Sequence, residues 1–372
     1  MPLIIDAHQD LAWNALTFGR NYTHSAQATR EAERNTPTPS RNGDSLLGLP
    51  DYVRGQVAVV FGTLYAAPLR RKFGEWDTLY YKDAESAHKV YAQQLDYYER
   101  LADEHPQFKL INTRQDLESV LATWSSASPD VIQSQETLDS VQRQIGLVRL
   151  MEGADCIREP KEVEWWVERG VRIVGLAWAA TRYAGGTGEP GPLTPEGRRL
   201  LIEMANVGLI LDLAHASDES YLEAIEKYPG PVIASHANPR ALLKNPARPE
   251  RFLSDDMLRV LAQRGGVAGI VPYNRFLKAD WRIEDGKHAV TLEHVLNMID
   301  YICQLTGSPD HVGIGSDFDG GFGVGSTPQE IDTVADLQLI GAGLKERGYA
   351  ANDIEKILSG NWLRVLRQGL PA

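Results

Sequence analysis

The residues richest in chemistry stand in Asp6-Ala-His8-Gln-Asp10, directly after the apolar run Leu3-Ile4-Ile5. Side chains alternate along a strand, so positions 6, 8 and 10 point the same way if the strand persists. An imidazole and a carboxylate then share one strand end, where they could hold a metal ion or form a hydrogen-bonded structural cluster. The pattern recurs. Glu152 follows Leu147-Val-Arg-Leu-Met151, and His215 follows Leu209-Ile-Leu-Asp-Leu-Ala214. His236 follows Val232-Ile-Ala-Ser235, and Asp317 follows Val312-Gly-Ile-Gly-Ser316. A lone His or Glu after a strand is ordinarily a packed or hydrogen-bonded loop residue. Five strand ends that each supply His, Asp or Glu form a different pattern.

If those ends meet, the imidazoles and carboxylates make a two-metal site. Mixed nitrogen and oxygen donors favour zinc, two ions per chain, with manganese, iron or cobalt as alternatives. His8 and Asp10 would hold one ion, His215 and His236 the other, and Glu152 would bridge them through its two oxygens. A water shared between two dications loses its proton near neutral pH and becomes a nucleophile. Asp317, outside the ligand set, is available to take that proton and return it to a leaving amine.

Such a site needs a scaffold that carries distant strand ends to one rim. Short apolar runs, many rich in β-branched residues, recur at 3–7, 56–64, 145–151, 171–177, 208–213, 231–235, 267–272 and 311–316. Unbroken hydrophobicity suits parallel strands covered on both faces, and eight of them close a barrel. The spacing predicts an α/β fold, a (β/α)8 TIM barrel forming one domain over 1–372. Helices are expected over 195–206 (Thr194 as N-cap, Pro195 first), over 254–264 after an acidic start, and over 292–304 after Thr291. Between the second and third strands, 66–144 reads as a helical insertion. Its aromatic and charged stretch 83–104 is either part of a helical pair or lid, or a supporting helix on the barrel wall. The Gly- and Pro-rich stretch 184–192 reads as a mobile loop.

Composition narrows the partners. The 372 residues carry a formal net charge of −12 and are 43% hydrophobic, enough for a large core. An acidic chain argues against nucleic acid or an anionic membrane surface as partner. No apolar run approaches the ~20 residues that span a bilayer. The start, Met-Pro-Leu-Ile-Ile-Asp, lacks the basic and apolar regions of a signal peptide, so a cytoplasmic location without a membrane anchor is expected. The two cysteines, Cys156 and Cys303, supply no disulfide framework.

The ordered stretches IIDAHQDLAW, RLMEGAD, LILDLAHAS, GPVIASHANPRAL, GIVPYN, VGIGSDFDGG and DIEKILSGNWLRVL resemble the membrane dipeptidase (renal dipeptidase) family of the amidohydrolase superfamily. Each fragment is weak alone; the ordered set spans nearly the whole chain. The resemblance implies a binuclear zinc hydrolase of small dipeptides, L,D-dipeptides among them, and a family that often forms homodimers. It implies metal ligands His8, Asp10, bridging Glu152, His215 and His236, with Asp317 as proton shuttle. It also implies an arginine on the substrate's C-terminal carboxylate, for which Arg251 fits best and Arg248 second, and Tyr273 at the substrate.

One position departs from the family. Trp178 stands where its dipeptidases often carry a His that contacts the scissile carbonyl. Indole donates one hydrogen bond but carries no positive charge, and losing an oxyanion donor costs roughly 3–4 kcal/mol. Arg182 on the adjoining loop is a candidate replacement. The departure keeps open an amidase, N-acyl-amino-acid hydrolase or lactonase on the same metals, and more remotely a non-catalytic small-molecule-binding barrel. Gly320-Gly-Phe-Gly-Val-Gly325 reads as a rim loop and Trp165-Trp166 as core packing.

Overall fold

The computed structural model describes residues 1–125 and 143–372. Eight strands fall where apolar runs were expected: β1 Ile4–Gln9, β2 Val57–Leu64, β3 Ile145–Glu152, β4 Val171–Gly175, β5 Ile210–Asp212, β6 Val232–Ile233, β7 Ala268–Ile270 and β8 Val312–Ile314. All pair in parallel, in the order β7-β8-β1-β2-β3-β4-β5-β6, and the bridge between Ala234 and Ala268 closes the ring. The fold is a (β/α)8 barrel. Every residue of β1, β2 and β3 is buried, as parallel strands between a filled interior and a coat of helices must be. The later strands are shorter than their apolar runs because the chain leaves the ring at the rim. After β5, for example, the Ala216 N–H donates to Leu213 O and the backbone turns inward.

The helices start where their caps predict. Thr194 Oγ1 accepts from Gly197 N at 3.0 Å and opens Pro195–Asn206. Ser254 Oγ accepts from Met257 N at 3.3 Å and opens Asp255–Gln263. A third, Leu292–Thr306, follows Thr291.

Between β2 and β3 the long helix Ala84–Glu104 is present, capped by Asp83, but it is not a lid. Tyr98 OH donates to Thr63 O (3.0 Å), Gln94 Nε2 to Tyr65 O (2.6 Å) and Tyr91 OH to Glu152 O (2.6 Å). Carbonyls at strand ends leave the ladder unpaired, and these side chains satisfy them, so the helix is fastened to the barrel wall. A ninth strand, Phe108–Leu110, adds to the lower end of β3, where β4 has not yet begun. It was missed because its three residues carry no apolar run. Helix Arg114–Ser125 follows; 126–142 of the expected insertion lie outside the described residues. The stretch 184–192 is pinned rather than loose. Gly185 O accepts from Ser217 N (3.1 Å), and Thr187 N donates to Trp178 O (2.9 Å). Among the described residues, no helix is long and apolar enough to cross a membrane.

Two glycines let the rim of β6 sit inside the barrel mouth. A Cβ on Gly269 would lie 1.9 Å, and one on Gly315 1.8 Å, from the carbonyl oxygen of Ser235. Gly315→Ala must therefore push Ser235 and His236 outward. It should cost about 1–3 kcal/mol in thermal or denaturant unfolding. Gly360→Ala, at right-handed helical backbone with its nearest atom 3.5 Å away, should be at least as stable as the parent, by up to about 1 kcal/mol. Equal stability of the two variants would contradict this packing.

Candidate metal centre

All six candidate residues reach one rim. His8 lies near the end of β1 and Asp10 just past it, while Glu152 closes β3. His215, His236 and Asp317 each follow the end of their strands, β5, β6 and β8, by three positions. His215 and Asp317 turn inward with φ of +65° and +59°. That left-handed conformation costs a non-glycine residue about 1–3 kcal/mol and gathers at functional sites.

Glu152 is the hub. Its Oε1 stands 3.1 Å from His215 Nε2, 3.4 Å from His236 Nε2 and 3.6 Å from His8 Nε2. His8 Nε2 lies 3.9 Å from both Asp10 Oδ2 and Asp317 Oδ1. Three overlapping triads result, each with donor atoms within 4.8 Å: His8, Asp10 and Glu152; Glu152, His215 and His236; His8, His236 and Asp317. The first two share Glu152. The third brings Asp317 closer to the donors than its place outside the ligand set suggested.

A second layer of hydrogen bonds fixes the rings. Ser235 Oγ donates to Asp212 Oδ2 (2.6 Å), so it accepts from His236 Nδ1 (2.8 Å) and leaves His236 Nε2 a bare lone pair. Thr187 Oγ1 pairs with His215 Nδ1 at 2.9 Å, and Thr63 Oγ1 donates to Asp10 Oδ1 at 2.6 Å. The two Nε2 atoms of His215 and His236 face each other at 2.9 Å. Both ring nitrogens of His8 are buried without a hydrogen-bond partner.

A dication fits this donor set. Ligands at roughly 2.0–2.1 Å from a tetrahedral ion stand about 3.3 Å apart, close to the spacing around Glu152. The protonation tendencies agree. Burial drives His8, His215 and His236 well below the ordinary imidazole range, so they are neutral donors; the Arg251 charge adds to this. Burial pushes Asp10 up to about 7. Glu152 and Asp317 are raised well above the carboxylate range, by burial first and then by repulsion from Asp10. Without a cation these carboxylates favour their protonated forms, and a bound cation reverses that preference.

A cavity of about 950 Å³ opens over the cluster. Two aromatic groups line it, one made of Trp13, Tyr65, Phe73 and Trp178, the other of Phe252, Tyr273 and Phe276. Arg251 is buried beside the second group. Its Nη1 donates to His236 O (2.8 Å) and its guanidinium lies 4.8 Å from the Phe276 ring centre. Its Nη2 has no hydrogen-bond partner and stands 3.8 Å from Asp317 Oδ2. Arg248 lines the cavity too, but as an exposed side chain. Half-buried Trp178 lies with its ring centre 6.2 Å from that of His215. Arg182, the expected replacement donor, does not reach the cavity. Its Nη2 is held by Tyr183 OH (2.7 Å) and Ile157 O, and its backbone N–H by Asp155.

A family model described as membrane dipeptidase (peptidase family M19) matches residues 1–369. The chain belongs to the membrane dipeptidase family. An uncharacterized protein from the pqqA 5′ region of Klebsiella pneumoniae is 32% identical over 233 residues, 60% of this chain and 82% of its own length. Dipeptidase tcpJ of Claviceps purpurea is 32% identical over 204 residues, 54% of this chain. The match spans only 45% of that dipeptidase. Among solved structures, a metallo peptidase from Rhodobacter sphaeroides, liganded with a phosphinate mimic of L-Ala-D-Ala, has a TM-score of 0.76. It covers 99% of both chains at 23% identity, a likeness of fold.

Within this membrane dipeptidase family member, the second layer was the part that sequence reasoning missed. Ser235 stands beside His236 and Thr63 within a strand, but neither advertises its partner, 23 and 53 residues away respectively. Asp6 was grouped with His8 and Asp10 by alternation, yet it does not join them. The β1–β2 ladder shifts register between Asp6 and Gln9, and Asp6 instead accepts from Ser316 N (2.7 Å) and Gln9 Nε2 (2.6 Å). Gly320 has a purpose in the rim loop: a Cβ there would stand 2.2 Å from Asp317 Oδ1 and 2.7 Å from Asp10 Oδ2.

Neutral imidazoles give up no proton on loading, whereas raised carboxylates must. Zinc titrated by calorimetry, in buffers of different ionisation enthalpy, should release protons near pH 6.5. Affinity should rise with pH through the interval around the Asp10 value of about 7. Proton uptake, or affinity independent of pH, would contradict the assignment.

Proposed function

We propose that the chain is a zinc-dependent dipeptidase that hydrolyses the peptide bond of small dipeptides, L,D-dipeptides included. The observation that carries this reading is the shared Glu152 oxygen, ringed by three imidazoles and open to a cavity that also holds a buried, half-unpaired Arg251. His8 and Asp10 would hold one ion, and His215 and His236 the other, with Glu152 between them. Two zinc ions held there would supply Lewis acidity and a water acidic enough to attack at neutral pH.

The chain's own groups supply the rest. Asp317 accepts the proton of the attacking water and returns it to the departing amine. Arg251 receives the substrate's α-carboxylate on its free Nη2, while Nη1 stays anchored to His236 O, which ties substrate position to a metal ligand. Tyr273, stacked on Phe322 with ring centres 4.3 Å apart, bounds the same end of the cavity. The ligand of the Rhodobacter metallo peptidase, a phosphinate mimic of L-Ala-D-Ala, supports small dipeptides of mixed chirality as substrates.

Trp178 favours a second reading. An indole where a charged donor would serve peptide cleavage suits an amidase, N-acyl-amino-acid hydrolase or lactonase that uses the same ions on a more apolar acyl group.

Zinc-loaded protein assayed against L,L and L,D dipeptides should release amine, and a chelator should stop it. Asp317→Asn should lower kcat by roughly 10²–10⁴-fold with its metal content intact. Full activity of that variant would remove Asp317 from the proton transfer. Metal-bearing protein that cleaves no dipeptide would shift the assignment to the second reading.

A further inference from the structure

Amide hydrolysis builds negative charge on the former carbonyl oxygen, and a preorganised donor aimed at it is worth orders of magnitude in rate. Arg182 is turned away, and Arg251 is committed to the carboxylate in the reading above. Among the described residues, two other buried groups on the cavity wall keep an unpaired donor, the Trp13 indole and the Tyr65 hydroxyl, and the phenol is the stronger acid of the two. Tyr65 follows the end of β2, is 5% exposed, and lines the cavity. Its hydroxyl is buried and has no hydrogen-bond partner. Glu152 and Asp10 are the charged groups that act on its phenol most strongly.

The side chain is held as a preorganised donor should be. Tyr65 N–H donates to Gln94 Oε1 at 2.9 Å, and Gln94 Nε2 donates back to Tyr65 O at 2.6 Å, which clamps the backbone to the wall helix. Trp178 meets the ring edge-on at 5.2 Å between centres, and Trp13 does so at 6.1 Å. A buried hydroxyl without a partner lowers stability, and folded proteins keep few of them. Its retention here, on the wall of the cavity that Glu152 and Asp10 also line, is what a ligand-facing role explains.

We propose that Tyr65 is a further catalytic residue, whose hydroxyl donates a hydrogen bond to the carbonyl oxygen of the scissile bond as charge develops on it. This rests on the hydrolytic reading above. The phenol keeps its proton throughout; the bond between carbonyl carbon and amine nitrogen breaks as described, with the amine's proton coming from Asp317. The packing of Trp178 and Trp13 against the ring makes them positioning residues for this donor.

Tyr65→Phe tests it, because the variant removes one oxygen that pairs with nothing in the resting protein. Against a dipeptide that the parent cleaves, kcat should fall about 10²–10³-fold with KM nearly unchanged. Affinity for a phosphinate dipeptide mimic should fall far more than affinity for the product amino acids. Zinc content and melting temperature should equal the parent's, or melting should rise. Unchanged kcat, or a rise in KM that accounts for the whole loss, would overturn the role. A loss of zinc or of melting temperature in step with activity would make Tyr65 structural and overturn it as well. A parent that cleaves no dipeptide defeats the hydrolytic reading instead, and the two failures are distinct.

Discussion

Glu152 is a buried carboxylate whose Oε1 has three imidazole nitrogens within 3.6 Å, and whose protonated form is favoured by burial and by neighbouring acids. Left to themselves, these groups do not belong together. Facing lone pairs repel, like charges repel, and a water-poor rim offers no solvent to screen them. A cation resolves all three conflicts at once. Much of the surrounding architecture serves to hold this arrangement in place before a cation arrives. The wall helix Ala84–Glu104 fastens the Glu152 carbonyl, Ser235 sets the tautomer of His236, Thr187 holds the ring of His215, and Gly269, Gly315 and Gly320 clear space for the chain to close in.

The barrel makes this possible through its topology. Parallel strands present their C-terminal ends on one face, so residues as distant in sequence as His8 and Asp317 become neighbours without any local signal. The inward turns after β5 and β8 use left-handed backbone at His215 and Asp317, a local cost that the fold sustains. Arg251 is tied into the same rim, since its anchor is the backbone of His236 itself.

How much of this could be read beforehand followed from the range of each interaction. The eight strands, and the donors at their ends, were legible because burial on both faces leaves continuous apolar runs and the rim residue comes immediately afterwards. Caps such as Thr194 and Ser254 were legible because they act over three residues. Asp6 was misgrouped because alternation assumes an unbroken ladder, and the register shift before Gln9 is set by the neighbouring strand. The wall helix was legible as a helix, but its role depends on phenols reaching carbonyls as many as 61 residues away. Arg182 failed for a similar reason: its partners on the preceding loop turn the guanidinium out of the cavity. That Arg251 is buried and Arg248 exposed is likewise a matter of packing, which no motif around NPARPERF discloses.

If Glu152 is shared between two ions, as proposed, counting metal reveals it most directly. Parent and Glu152→Ala proteins should be equilibrated at one buffered free-zinc concentration and their zinc per chain measured by elemental analysis. Two ions in the parent, and loss of both from the variant with its fold intact by circular dichroism, is the expected result. A variant that keeps both ions at unchanged affinity, or a parent that binds none, would contradict it.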